Sequence, residues 1–254
     1  GVELFVRPVK EHRAVVVLRG EGLSDQVEDT DPQRLGVPPL PPRARAPEAA
    51  RTVELVSSFL EQARELLRGE PQANALLLRG FSRLPHLVPF GERFGLRALA
   101  LATYPMYRGI CRLLGMEVPR VASRAEQLRV LEERFGEFDF IYFHVKETDS
   151  RGEDGDFQAK VRVIEEVDRE VLPRVLALGP DVLVITGDHS TPAALRGHSW
   201  HPLPLLLHSP WCRPDGLASF GEGQCRLGSL GHLQAMQLMP LALAHARRLT
   251  KFGA

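Results

Sequence analysis

Asp188 and His189 follow directly on the apolar run Val182-Leu-Val-Ile-Thr-Gly, and His198 comes shortly after in Gly197-His-Ser-Trp-His201-Pro. A carboxylate grouped with imidazoles is a donor set for divalent ions, and the mixture suits Mn and Zn better than an all-oxygen cage would. Consecutive side chains in extended backbone point opposite ways, so Asp188 and His189 diverge. That divergence suits a two-ion centre, in which neighbouring residues serve different ions. Two ions about 3.5–4 Å apart clamp the attacking and leaving oxygens of a phosphoryl group. A second acidic cluster, Asp149 and Glu153, lies in Lys146-Glu-Thr-Asp-Ser-Arg-Gly152-Glu-Asp-Gly155, with glycines that permit a tight backbone path. Each cluster also has a plainer reading. Residues 187–192 form a turn leading into a helix N-cap; residues 149–156 form a solvated acidic loop at the start of the next helix; His198 alone is a structural histidine. Three ligand-bearing segments placed at three strand ends shift that balance towards a metal site.

The elements that must position these residues alternate. Strand-like runs fall at 14–18, 75–78, 98–102, 138–144, 182–186 and 203–207, and residues 2–7 offer a further strand. Helical patterns fall between them, at 48–67, 125–135, 157–178 and 230–249. This order predicts an α/β fold, a mostly parallel sheet flanked by helices, in which chemistry gathers just past the carboxyl ends of the strands. The prolines at 38, 39, 41, 42 and 47 make residues 35–47 an extended connection, because proline lacks a backbone donor and drives its predecessor out of helix.

Composition narrows the class. The 254 residues are 44% hydrophobic and 25% charged, with 32 basic residues against 32 acidic ones. With no net field and no dense basic patch, a nucleic-acid partner is not expected. No apolar run reaches the length needed to span a bilayer, so no membrane partner is expected either. Cys111, Cys212 and Cys225 are widely spaced and odd in number, which suits a reducing compartment; a cytoplasmic protein with free thiols is the expectation. The chain opens at Gly1 and runs at once into a strand-like segment, so a processed or truncated start is expected.

Several strings together carry a resemblance. Thr186-Gly-Asp-His-Ser-Thr-Pro192, His198-Ser-x-x-Pro202-x-Pro204-Leu-Leu and Phe143-His-Val-Lys146-x-x-Asp149-x-x-Gly152-x-Asp154-Gly155-Asp-Phe, with Lys160-Val and Ile164-Glu-x-x-Asp168, resemble the archaeal-type, cofactor-independent (2,3-bisphosphoglycerate-independent) phosphoglycerate mutases of the alkaline phosphatase superfamily. The resemblance extends through His12-Arg-Ala-Val-x-Val-Leu-Arg19-Gly, Asp29-Thr-Asp31-Pro, Ala73-Asn74-x-x-Leu-Leu-Arg79-Gly and Gly109-Ile-x-x-Leu-x-Gly115-Met to the closing Lys251-Phe-Gly-Ala254.

That resemblance implies interconversion of 2- and 3-phosphoglycerate through a phosphoserine enzyme in glycolysis and gluconeogenesis, with two divalent ions (Mn, Zn, Mg or Co) and a small phosphorylated substrate. Asp188 and His189 would hold one ion; Asp149, Glu153 and His198 would hold the other. Arg79, and with it Arg83, Arg19 and Arg13, would bind the substrate phosphate and carboxylate, a role suited to a planar, always charged fork. Glu153 departs from the family, which usually has His after Asp-x-x-Gly; a carboxylate there favours harder ions. The family's serine nucleophile precedes the region matched here, so no catalytic serine is assigned and the chain alone is expected to lack turnover. Residues 1–70 would be part of an inserted lid domain, and 71–254 the carboxyl-terminal part of the phosphatase-like domain. Two alternatives stay open: a metal-dependent phosphatase or phosphotransferase of the same superfamily, and a non-catalytic binding protein derived from the mutase.

Overall fold

The computed structural model describes residues 1–10 and 12–250 and divides into two compact units, Gly1–Leu87 and Val88–Ala254. In the first unit, β1 (Glu3–Lys10) pairs antiparallel with β2 (Arg13–Arg19), Leu4 opposite Leu18 and Val6 opposite Val16. Its one long helix, α1 (Ala50–Leu66), buries Thr52, Val56 and Ala63, which recur at near-helical spacing along one stripe. The Thr52 hydroxyl caps nothing in its own helix; it accepts the buried Ser24 N–H at 2.8 Å and so ties α1 to the preceding loop.

The strand expected at 75–78 does not form. The Leu78 carbonyl accepts the Thr30 N–H at 2.8 Å, but the Leu78 N–H donates to the Thr30 hydroxyl rather than to a carbonyl, so no ladder propagates. Gly80 N–H donates to Asp29 Oδ1 and Arg83 Nη2 to the Leu23 carbonyl, and these bonds tie residues 71–87 to the compact unit Gly1–Leu87.

The second unit is built around β3 (Ala98–Leu101), buried along its whole length, and β4 (Phe140–Phe143), which runs parallel to it. Alternation along both strands feeds two cores. Leu99, Leu101, Ile141 and Phe143 pack with Leu128 and Leu131 of one helix; Ala98, Ala100, Phe140 and Tyr142 pack with Phe90, Cys111 and Met116 on the other side. The helices concerned are α2 (Phe90–Phe94), α3 (Pro105–Leu113) and α4 (Arg124–Arg134), the last capped by Ser123, whose hydroxyl accepts the Glu126 N–H. Buried Gln127 of α4 donates to both the Leu101 and the His144 carbonyls, at 2.7 and 2.9 Å, and so fixes the two strand ends side by side.

The acidic segment, for which a solvated loop is the plainer reading, forms α5 (Glu147–Asp154). Glu147 and Asp149 lie in its first turn, where acids complement the helix dipole, and Gly155 ends it with φ 76°, a left-handed conformation that glycine adopts without strain. The helical pattern at 157–178 resolves into α6 (Phe157–Glu166), a π turn at Val167–Val171 and α7 (Leu172–Ala177). Pro173 accounts for the break: it cannot donate back into the ladder, and a widened turn absorbs its ring. β5 (Leu183–Ile185) pairs with β6 (Leu206–His208) antiparallel, so the ladders of this α/β chain are mixed, with β3 and β4 the parallel pair among the described residues. After α8 (Glu222–Cys225), the helix expected over 230–249 contracts to α9 (Leu238–His245), beginning where Pro240 falls in its first turn. No helix among the described residues is long and apolar enough to cross a membrane.

Candidate metal centre

Three segments of the second unit meet: α5, which follows β4, the residues that follow β5, and the stretch around His198 that leads into the antiparallel β6. α5 presents Asp149 and Glu153 one turn apart, hence on one face. The segment after β5 brings Asp188 and His189 onto that face because Gly152 of α5 leaves room for it. A Cβ at Gly152 would lie 2.2 Å from the Thr191 carbonyl oxygen and 2.9 Å from its methyl group, so glycine is required by close approach rather than by dihedral. Lys160 of α6 donates from Nζ to that same carbonyl at 2.6 Å. His198 is delivered by a short antiparallel bridge between Ser190 and Ser199, closed by the Ser199 N–H on the Ser190 carbonyl at 2.9 Å. The His189 and His198 rings stack with centroids 3.7 Å apart.

The donor atoms form two groups. In one, His198 Nε2 is 3.6 Å from Asp149 Oδ1 and 3.7 Å from Glu153 Oε1. In the other, His189 Nε2 is 3.5 Å from Asp188 Oδ2. His189 Nδ1, 3.8 Å from Asp149 Oδ1, joins the two, and one ligand atom from each of Asp149, His189 and His198 falls within 4.8 Å of the others. Two ligands at about 2.0–2.2 Å from a common tetrahedral or octahedral ion are themselves about 3.0–3.5 Å apart, so pairs at 3.5–3.8 Å need only small side-chain shifts to share an ion.

Charge supports the same chemistry. Burial raises the Asp149 pKa, but Lys146 Nζ and the Thr191 hydroxyl, both donating to its carboxylate, outweigh burial and hold it below the ordinary aspartate value. Asp188 is lowered in the same way: burial opposes ionisation, while the Tyr107 hydroxyl, backbone N–H groups and His189 favour it. Tyr107, raised far above an ordinary tyrosine by burial and by the Asp188 carboxylate, remains a protonated donor. Both aspartates therefore stand ionised at neutral pH, as ligation requires.

A model of the metalloenzyme superfamily matches residues 15–245, nearly the whole chain. The chain belongs to the metalloenzyme superfamily. Its similarity to curated members is high: 51% identity over 257 residues to a probable 2,3-bisphosphoglycerate-independent phosphoglycerate mutase of Thermus thermophilus, and 50% and 45% to proteins of the same name from Thermotoga neapolitana and Aquifex aeolicus. Each alignment covers 100% of this chain, but the chain spans only 63–64% of those relatives' lengths. Among solved structures, a cofactor-independent phosphoglycerate mutase from Thermoplasma acidophilum aligns with TM-score 0.69 and 26% identity over 96% of this chain and 66% of its own. A protein from Pyrococcus horikoshii aligns with TM-score 0.75 and 29% identity over 82% of this chain and 60% of its own.

All five residues expected as metal ligands thus lie in the second unit, with Asp149 the most enclosed, its side chain 12% exposed. The four arginines expected at the substrate lie in the first unit. Arg79 pairs with Asp31 at 3.8 Å, Arg83 with Asp25 at 3.6 Å and Arg19 with Glu3 at 3.6 Å, while Arg13 opens β2. Sequence reasoning missed Tyr107, Thr191 and the role of Lys146. A signal existed for the first: β3 also ends at the site, and Tyr104 and Tyr107 follow it one helical turn apart. Thr191 carried none, being an ordinary turn residue in sequence.

Proposed function

We propose that this chain is the metal-binding portion of a 2,3-bisphosphoglycerate-independent phosphoglycerate mutase that interconverts 2- and 3-phosphoglycerate through a phosphoserine, in cytoplasmic glycolysis and gluconeogenesis. The reading rests on one observation: the paired donor sets Asp188/His189 and Asp149/Glu153/His198 lie within a chain half-identical, over its whole length, to relatives of that name. Two divalent ions held there would neutralise charge on the phosphoryl group as it moves between hydroxyls. Three carboxylates against two imidazoles favour a harder ion, and we take Mn²⁺ as the working metal. Around the ions, Lys146 and Thr191 orient Asp149, and Tyr107 orients Asp188. Arg79 is the foremost candidate to bind the substrate phosphate and carboxylate, with Arg83, Arg19 and Arg13. The nucleophilic serine would come from the part of the longer relatives that this chain does not span.

The test is a mutase assay on the full-length protein with Mn²⁺ and no 2,3-bisphosphoglycerate. Asp188→Ala or His189→Ala should lower kcat by several orders of magnitude; retained turnover in either variant rejects the metal clamp. Steady release of inorganic phosphate in place of isomerisation would assign the site to a phosphatase.

A further inference from the structure

The second unit also carries an open cavity of about 600 Å³ between α3, the connection that follows it and the start of α4. Three guanidinium groups line it: Arg108 and Arg112 from α3 and Arg120 from the connection, beside the Thr103 hydroxyl. None of the three makes an ion pair with a described residue, although Arg124, Arg129 and Arg134 nearby in sequence all find carboxylates. The one acid in the lining, Glu126, spends Oε2 on the Ala122 N–H at 2.7 Å. Arg112 donates from Nη2 to the Val118 carbonyl at 3.3 Å, which holds its head in place.

Arg108 is the least satisfied of the three. Its Nε is buried and has no hydrogen-bond partner among the described residues. An unpaired buried donor on a cation is costly, and three like charges at one cavity repel each other. Burial first, then Arg112 and Arg120, lower the Arg108 pKa, the direction expected when a counter-charge is lacking. An anion entering the cavity would remove both penalties together.

We infer that this cavity binds a small phosphate-bearing polyanion, a pyrophosphate or a molecule carrying a comparable group. Three guanidiniums and one carboxylate leave the lining at net +2, which sets a ligand charge of −2 or more. A single carboxylate satisfies one arginine fork, whereas the several oxygens of a pyrophosphate group accept from forks on different sides. The cavity volume falls within the range of small-molecule sites. None of the five candidate metal ligands lines the cavity.

Isothermal titration of the 254-residue chain with inorganic pyrophosphate, in EDTA to exclude bridging by metal, tests it. One saturable site is expected. Arg112→Gln and Arg120→Gln, both at exposed positions and so compatible with folding, should each weaken binding about tenfold or more, the effect of one charge-assisted hydrogen bond. Glu126→Gln keeps the acceptor for Ala122 and should tighten binding, while Asp188→Asn should leave it unchanged. Failure of the wild-type chain to bind, binding that survives the Arg112→Gln/Arg120→Gln double variant, or loss of binding in Asp188→Asn would each overturn the proposal.

Discussion

Thr191 organises more of the candidate centre than its residue type suggests. Its hydroxyl donates to Asp149 Oδ1 at 2.6 Å and lies 3.0 Å from His189 Nδ1, so one buried group touches a donor residue of each set. With the hydroxyl proton directed at the carboxylate, the threonine oxygen accepts from His189 Nδ1–H and leaves Nε2, the nitrogen facing Asp188, with its lone pair free. Thr191→Val keeps the shape and removes both bonds. It should lower Mn²⁺ affinity about 10–100-fold, the usual effect of losing a group that orients ligands, and Thr191→Ser should restore most of it. Titration calorimetry on the three proteins decides; an unchanged affinity in the valine variant would remove Thr191 from the centre.

At the scale of elements, the contact between α5 and the segment after β5 is the joint that assembles the donors. Gly152→Ala places a methyl group against the Thr191 backbone, where no flexible side chain can give way. The expected cost is about 1–3 kcal/mol of stability, together with weaker metal binding, measured by guanidinium unfolding with and without Mn²⁺. β4 supplies a second test. At its start, Asp139 accepts the Arg97 N–H and pairs with Arg248, and its pKa is lowered, chiefly by that backbone bond. At its end, burial lowers the pKa of His144, whose Nδ1 has no partner among the described residues. A depressed folded pKa means that the unfolded chain binds protons first. The histidine contribution is therefore complete above about pH 6.5 and lost as pH falls through the lower folded value; the aspartate contribution is lost similarly below about pH 4. The unfolding midpoint should fall in two stages on acidification, with Asp139→Asn reducing the lower stage, to which Asp149 and Asp188 also contribute. An upper stage that survives His144→Gln would show that another group causes it.

For the whole molecule, the two compact units divide the proposed work. The donor sets lie in the unit Val88–Ala254, and the candidate substrate arginines in Gly1–Leu87, where Arg79 and Arg83 find acidic partners of their own. Metal binding and turnover should accordingly separate. The 254-residue chain is expected to bind Mn²⁺ but to lack mutase turnover, because phosphoryl transfer through an enzyme serine needs a nucleophile that no motif here supplies; the full-length protein should have both. Robust mutase activity from the 254-residue chain would show that its nucleophile lies within it.

By itself, the sequence determined which residues are able to ligate and roughly which strands carry them. The donor types at 188, 189 and 198 follow directly from residue chemistry, and the apolar runs at 98–102, 138–144 and 182–186 from local patterning. Helical periodicity likewise showed α1 and α4, whose buried faces repeat within the segment. Other features lie beyond any local pattern. α5 is short and polar, and its acids read equally well as a loop. The direction of the β5–β6 ladder and the attachment of residues 71–87 depend on partners distant in sequence, such as Thr30 for Leu78. The same holds at the centre. That Gly152 admits the Thr191 carbonyl, that Tyr107 reaches Asp188, and that three arginines share one cavity are consequences of packing between segments. Tertiary structure alone decided them, because each requires two surfaces to meet at atomic separation, and residue type fixes only what a side chain can do once it is there.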